Sequence, residues 1–399
     1  MTSNYKKIGD YIRLVDVRNR KLEVKTLLGL SISKEFIPSV ANTVGTDMAN
    51  YKIIKKGQFA CSLMQVRRDK KIPVALQIDF DEAIISQAYL VFEVVNTESL
   101  DPEYLMMWMS RSEFDRHACF LAVGGVRGSL EWDDFCDMEL PVPSIEKQRE
   151  IVREYNVVNA RIALNGQLTQ KLEDTAKAIY KQWFVDFEFP ISKEYAESIG
   201  KPELEGKPYK SSGGEMQVCE ETMRDVPKGW KVGTYESYLT FKTGKLNSNA
   251  AVDNGKYPFF TCSSETYKTD TYSFDGKAVL LAGNNASAIY PLKYFEGKFD
   301  AYQRTYVITP KVKNLSLLQV YFSIKDELEG FKGSSSGTAT KFLTMKILNP
   351  LSIIVAPDGV YEEVNRQLDI LLNQLLVLPK ELALLKDLAP ILQAKISKA

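Results

Sequence analysis

"MELPVPSIEKQREIV", residues 138–152, decides how this chain is organised. A strand-like apolar tip, Met138-Glu139-Leu140, meets two prolines and turns at once into a charged, helix-forming run. Ser144 reads as the N-cap of that helix, with Lys147 rather than Glu at the capping-box position. The same strand, proline and helix junction returns in "LSIIVAPDGVYEEVNRQLDIL", residues 351–371.

Working outward, the blocks around the two junctions also repeat. "GQFACSLMQ" (57–65) resembles "GKAVLLAGN" (276–284), and "SQAYLVFEV" (86–94) resembles "YQRTYVITP" (302–310). "LDPEYLMMWM" (100–109) resembles "LSLLQVYFSI" (315–324), an amphipathic helix in each case. "GGVRGSLEWDDFCDMELPVP" (124–143) resembles "SSGTATKFLTMKILNPLSIIVAP" (335–357). Four blocks in one order at a near-constant offset predict a duplicated architecture. Each half is a mixed α/β body of about 130 residues followed by a long helix. Segments such as "YLVFEV" and "TYVIT" carry the β-branched and aromatic content of half-buried sheet.

The first long helix is read over residues 144–184. Ile151, Tyr155, Val158, Ile162, Leu172, Ala176, Ile179 and Trp183 follow alternating three- and four-residue steps, interrupted by the polar Asn165 and Thr169. The second carries an unbroken seam of Leu368, Leu371, Leu375, Leu378, Leu382, Leu385, Ala389, Leu392 and Ile396. A 3.5-residue repeat is what supercoiled helices require, so the two helices are expected to pair with each other. Pro379 and Pro390 each remove a helical hydrogen bond and are expected to kink or split the second helix. Residues 188–226, rich in glycine, serine, proline and acidic side chains, read as a long surface connection.

Composition narrows the function. The chain of 399 residues has 51 basic and 51 acidic side chains, but residues 228–357 hold 16 basic against 10 acidic. Local clustering matters more to phosphate binding than the total. The five cysteines are widely spaced with no CxxC, and read as free thiols in a reducing cytoplasm. No run of 18 apolar residues suggests a membrane span, and the first residues lack a signal-peptide core. The single histidine, His117, argues against histidine metal clusters and most histidine triads. Neither a Walker loop nor a GxGxxG fingerprint occurs. One nuclease-like trio remains, Asp275 with Glu296 and Lys298, which would suit a standalone magnesium-dependent nuclease. Alternating charges at a strand-edge turn explain the trio equally well.

The loops of both bodies instead concentrate basic, amide and small hydroxyl groups. The first offers Arg67, Arg68, Lys70, Lys71 and Arg127. The second offers Lys242, Lys245, Asn247, Asn284, Asn285, Tyr302, Gln303, Arg304, Lys332, Ser334, Ser335, Thr340 and Lys341. Arginine can fork onto guanine and asparagine or glutamine onto adenine, while lysine and serine hold phosphates. These residues are the expected DNA-binding set, with no catalytic and no metal-binding residue.

The chain resembles the specificity subunit of type I restriction-modification enzymes. The resemblance is carried by "ELPVPSIEKQREIV" (139–152), "KLEDTAKAIYKQWFVDFEFP" (171–190), "GKPYKSSGG" (206–214) and "VPKGWKVGTY" (226–235). It implies an α/β (α+β) fold with two similar target-recognition domains, residues 1–143 and 228–357. Two long helices, 144–187 and 358–399, would form an antiparallel coiled coil, with a linker at 188–227. It further implies a non-catalytic subunit in which each domain reads one half of an asymmetric, bipartite double-stranded DNA site. The helices would set the spacing and dock two modification (methyltransferase) subunits, and restriction (endonuclease/translocase) subunits would join them. No cofactor is expected in this chain; S-adenosylmethionine, ATP and magnesium would sit on the partners.

Overall fold

The computed structural model describes residues 4–39, 47–125, 128–219, 223–284, 290–334 and 342–398. The chain divides into two compact units, Met1–Leu164 with Ala383–Ala399, and Asn165–Leu382. Among the described residues no helix is long and apolar enough to cross a membrane.

In the first unit, Tyr5–Lys7 pairs antiparallel with Glu139–Pro141, so the strand tip of the opening motif closes the body. Ile12–Val15, Leu90–Val94, Gln58–Cys61 and Val74–Leu76 form one four-stranded sheet in that order. A second sheet holds Phe36–Pro38, Leu27–Leu30, Glu82–Ile85 and Lys52–Lys55, with Leu27–Leu30 parallel to Glu82–Ile85. Phe59 stacks on Phe92 at 4.8 Å between ring centroids, with Trp132 and Phe135 closing the core beside them.

The second unit repeats this plan. Lys231–Thr234 pairs antiparallel with Ser352–Val355. Leu239–Thr243, Thr305–Pro310, Phe274–Ala282, Leu292–Ala301, Tyr257–Phe260 and Thr266–Thr269 form a single six-stranded sheet. Its long hairpin, Phe274–Ala282 with Leu292–Ala301, corresponds to two successive strand pairs of the first unit, Lys52–Lys55 with Glu82–Ile85 and Gln58–Cys61 with Val74–Leu76. The break between those pairs falls at Gly57 (φ +86°), the residue aligned with Gly276. Gly276 (φ +132°) faces Gly297 (φ +127°) across the hairpin. Only glycine enters this backbone region without strain, so each body places a glycine near this point, breaking the strand in the first and leaving it continuous in the second. The repeat read from the sequence is therefore a repeat of the fold.

Each body leads into its long helix. The first spans Ile145–Phe184, and the Lys147 amide donates to Ser144 Oγ at 3.4 Å, so Ser144 caps it. The second spans Asp358–Ala394. It runs through Pro379 and Pro390 without a break, contrary to the expected splitting. Both prolines lie on its exposed side, where water can serve the carbonyls their rings leave unbonded.

The connection at 188–227 is folded in this structure. Trp183, Phe189 and Trp230 stack in sequence, at 5.5 and 5.1 Å, and Phe189 lies 4.7 Å from Tyr209. Met216–Cys219 and Arg224–Pro227 form a β-hairpin that leads into Trp230. The "YKQWFVDFEFP" and "VPKGW" stretches that carry the resemblance are thus two sides of one aromatic core.

Candidate nucleic-acid interface

In the second unit, close backbone contacts gather four loops at one end of the sheet. A Cβ on Gly244 would lie 1.7 Å from the Ala301 carbonyl oxygen, so the Lys245–Asn247 turn approaches this strand end only because residue 244 is glycine. Leu246 bridges Tyr302, and the Gln303 amide donates to the Leu246 carbonyl at 3.0 Å. The Gly283 amide donates to Arg304 O at 2.8 Å, and the Leu343 amide to Gly283 O at 2.8 Å. Tyr306 Oη donates to Leu343 O at 2.8 Å. The Arg304 guanidinium sits 5.7 Å from the centre of the Phe342 ring.

Lys245, Asn247, Gln303 and Arg304 are exposed on this cluster, and Tyr302 is half-buried. Lys242 is exposed on the neighbouring strand, in register with Val307. Asn284 is half-buried, with Oδ1 enclosed and without a partner; Thr305 Oγ1 and Tyr290 Oη are enclosed in the same way. Asn285, Ser335, Thr340 and Lys341 lie outside the described residues, as do the side chains of Lys332 and Ser334.

The first unit builds the same junction. The Leu130 amide donates to Leu63 O at 2.9 Å, matching the Leu343 to Gly283 bond, and Val123 bridges Ser129. Arg67 and Arg68 lie on a single helical turn, Val66–Asp69, bounded by left-handed Gln65 (φ 63°) and Lys70 (φ 53°). Arg67 donates from Nη1 to Gly124 O at 2.9 Å, so part of its capacity is spent on its own loop. Arg68 is paired with Asp69 at 2.6 Å. Lys70 and Lys71 are exposed, and Arg127 lies outside the described residues.

Sequence reasoning missed the support beneath these cations. Asp115 Oδ1 accepts from Lys34 Nζ at 2.8 Å and from the Ile72 amide at 3.1 Å, next to Lys71. Lys34 also donates to the Met109 carbonyl. Both side chains of the pair are nearly buried. Burial lowers the Lys34 pKa, while Asp115 opposes that shift. Asp115 sits in the middle of "EFDRHA" with no spacing pattern to betray it.

The helix-pairing residues are placed by each unit separately. In the first, Ile151 and Val152 share a core with Ile396, and Gln393 Nε2 donates to Tyr155 Oη at 3.0 Å. Lys395 pairs with Glu154 at 2.5 Å. The start of the first helix therefore meets the end of the second. In the second unit, Ala176, Tyr180 and Trp183 join one core with Leu368, Leu372 and Leu375, and Leu172, Ile179 and Leu371 pack against it. The end of one helix thus shares a core with the start of the other, and the pair is antiparallel. Leu378 is buried, and Ile162, Leu382 and Leu385 are half-buried. Asn165 occupies a seam position at 1% exposure with Nδ2 unpartnered, and Thr169 donates to its carbonyl at 2.8 Å.

The helices also carry apolar side chains that the seam does not use. Ile370, Val377, Leu384 and Ile391 recur every seven residues. In the first unit Leu384, Leu388 and Ile391 are exposed, with Val157 and Leu164 of the first helix. In the second unit Ile370, Val377 and Leu168 are exposed. This second stripe was legible as a seven-residue period out of phase with the seam.

The nuclease-like trio is arranged as paired strand charges. Asp275 is in register with Lys298 and Glu296 with Lys277, and the Lys277–Glu296 pair is 3.8 Å apart. Lys298 Nζ lies 4.5 Å from the Tyr272 ring centre. Among the described residues no three His, Cys, Asp or Glu side chains are grouped to hold a metal ion.

The family model described as "Type I restriction modification DNA specificity domain" matches residues 227–376, which contain the whole second loop cluster. The second body is thus similar to type I DNA specificity domains. The resemblance stated from the sequence is borne out by the curated relatives. The EcoDI specificity subunit of Escherichia coli is 32% identical over 149 residues, 37% of this chain and 32% of that protein. The HindI specificity subunit of Haemophilus influenzae is 29% identical over 151 residues, again 32% of its length. The chain thus spans about a third of the length of these two relatives. The MjaIX specificity subunit of Methanocaldococcus jannaschii is 20% identical over 329 residues, 76% of this chain and 70% of that one. The crystal structure of the S subunit from M. genitalium aligns over 99% of both chains, with a TM-score of 0.62 at 15% identity. The fold of that structure therefore extends over the whole of this chain, with two similar α/β domains and two long antiparallel helices.

Proposed function

We propose that this chain is the DNA-recognition subunit of a type I restriction-modification complex. Residues 1–143 and 228–357 are its two recognition domains, and each reads one half of a bipartite target. The observation that carries this reading is the shared junction. Leu130 to Leu63 in one unit and Leu343 to Gly283 in the other are corresponding backbone bonds, one residue apart in the sequence repeat, and exposed basic and amide side chains lie near both. Lysine and arginine there neutralise phosphates, while Arg304, Gln303 and Asn247 can address base edges. The loops differ in sequence, so the two half-sites differ and the target is asymmetric.

The chain itself catalyses nothing in this reading. Two modification subunits supply S-adenosylmethionine chemistry, and restriction subunits bring ATP and magnesium, all in the cytoplasm. The exposed heptad stripe supports docking by the helices, because an apolar row on a paired helix gains from cover by another helix.

Exchanging residues 228–357 for those of another specificity subunit should change one half of the methylated sequence and leave the other half and the gap intact. Methylation mapping of a host carrying the chain and its modification subunit reads this directly; a change in both halves would refute independent reading. Leu384→Asp and Ile391→Asp should each weaken co-purification with the modification subunit by about tenfold or more. Both side chains are exposed, so thermal unfolding of the isolated chain should stay unchanged. Full retention of the partner would remove the stripe from the docking surface.

A further inference from the structure

Each recognition body exposes one phenylalanine in the midst of its cationic junction. Phe120, on the last turn of Ser112–Leu121, is 81% exposed, and Phe342 is 52% exposed. Neither is a stray surface ring. The thiol of Cys119, one residue before Phe120, donates to the Val66 carbonyl at 3.5 Å, which puts this helix end against the Arg67–Arg68 turn. Arg67 and Lys70 act electrostatically on the same thiol. Val123, also exposed, bridges Ser129 beside the Leu130–Leu63 bond. In the other body Phe342 bridges Asn284, directly before the matching Leu343–Gly283 bond.

Each ring also has an arginine for company. Arg304 lies over Phe342 at 5.7 Å, and exposed Arg116 stands one helical turn before Phe120, the spacing that sets two helix residues on one face. Leaving a large apolar ring in water among cations is unfavourable to the free protein. The combination fits a ligand that offers anionic oxygens next to flat apolar faces. Duplex DNA does so at every base step, with phosphates outside and stacked rings within.

We propose that Phe120 and Phe342 are the wedge residues of the two recognition domains, each inserting at a base step in its own half-site while the neighbouring cations hold the flanking phosphates. The proposal rests on the DNA-recognition reading above. It adds that part of each half-site is read through the ease of unstacking that step, not through base edges alone.

The test uses the chain assembled with its modification subunits, with Phe120→Ala, Phe342→Ala and the conservative Phe120→Leu and Phe342→Leu. Both rings are largely solvent-exposed, so thermal unfolding should match the wild type. Phe120→Ala should reduce binding by about tenfold or more and relax methylation in one half-site only; Phe342→Ala should do so in the other. The leucine variants should restore part of the loss. The slope of affinity against salt should be unchanged, because no phosphate contact is removed. A 2-aminopurine at the wedged step should brighten on binding wild type and stay dim with the matching alanine variant. If wild type binds its target but both alanine variants bind and methylate alike, the wedge falls while the recognition reading stands. If wild type binds no defined sequence, the recognition reading itself falls. If the alanine variants lose the modification subunit but keep DNA affinity, the rings serve a protein surface and the wedge is wrong.

Discussion

Asp115→Ala is expected to destabilise the first body by about 3–5 kcal/mol. The carboxylate accepts from both Lys34 Nζ and the Ile72 amide, and both ionic side chains are nearly buried. Alanine strands an ammonium and a backbone donor together. The alkaline limb provides a check on cause. Burial lowers the Lys34 pKa, and Asp115 holds it up in part. A lowered pKa means that this group's favourable contribution is present above its unfolded value and lost as pH falls through the folded one. Removing Asp115 deletes the opposing influence and enlarges the penalty at neutral pH. Raising the pH toward ~10 should therefore return part of the lost stability, measured against wild type at each pH by urea unfolding. A Lys34→Met, Asp115→Leu double variant should lose far less than Asp115→Ala. A loss below about 1 kcal/mol in the single variant would mean that water replaces the carboxylate.

Adding one heptad to each long helix should lengthen the gap between half-sites by about three base pairs and leave both halves unchanged. Seven helical residues rise about 10.5 Å, and stacked base pairs rise about 3.4 Å each. The Tyr155–Gln393 bond sets the register of the pair. Counting eleven residues forward from Tyr155 and eleven back from Gln393 reaches Gly166 and Leu382, so the insertions belong beside those two residues. A heptad in both helices keeps every seam position in phase. A heptad in one helix alone should break the pairing and lower stability. Methylation mapping should show the original target lost and the longer target gained. An unchanged gap would show that the helices do not act as the spacer.

Much of the fold was readable because duplication doubles the signal. The strand that ends at Pro141 and the strand that ends at Val355 are marked by prolines, and Ser144 caps where a serine before a charged run should. The leucine seam predicted its own burial at Leu368, Leu375 and Leu378. Two departures of the structure from the sequence have a common source. The missing donors of Pro379 and Pro390 are visible in the sequence, but not that both face outward. The composition of residues 188–226 is that of a loop, but Phe189 stacks on Trp183, Trp230 and Tyr209. Each outcome depends on partners brought together by the fold. The candidate interface is legible in the sequence only as residue types. Nothing local reveals that Arg67 spends a donor on Gly124, or that Lys34 and Asp115 meet across 81 residues.

The strand pairs that close the two bodies have a further consequence. Tyr5 lies opposite Pro141, and Lys231 opposite Val355, so the chain leaves each body beside the point where it entered. Neighbouring strands stand about 5 Å apart, which makes each pair a narrow socket with everything between plugged into it. The helices also touch the plug, through Gln148 on the Asp101 amide in the first body and Glu173 on Tyr294 in the second. Under the proposed function, a gene broken and rejoined at these sockets would exchange one body whole and with it one half of the target, so long as the incoming body kept those helix contacts.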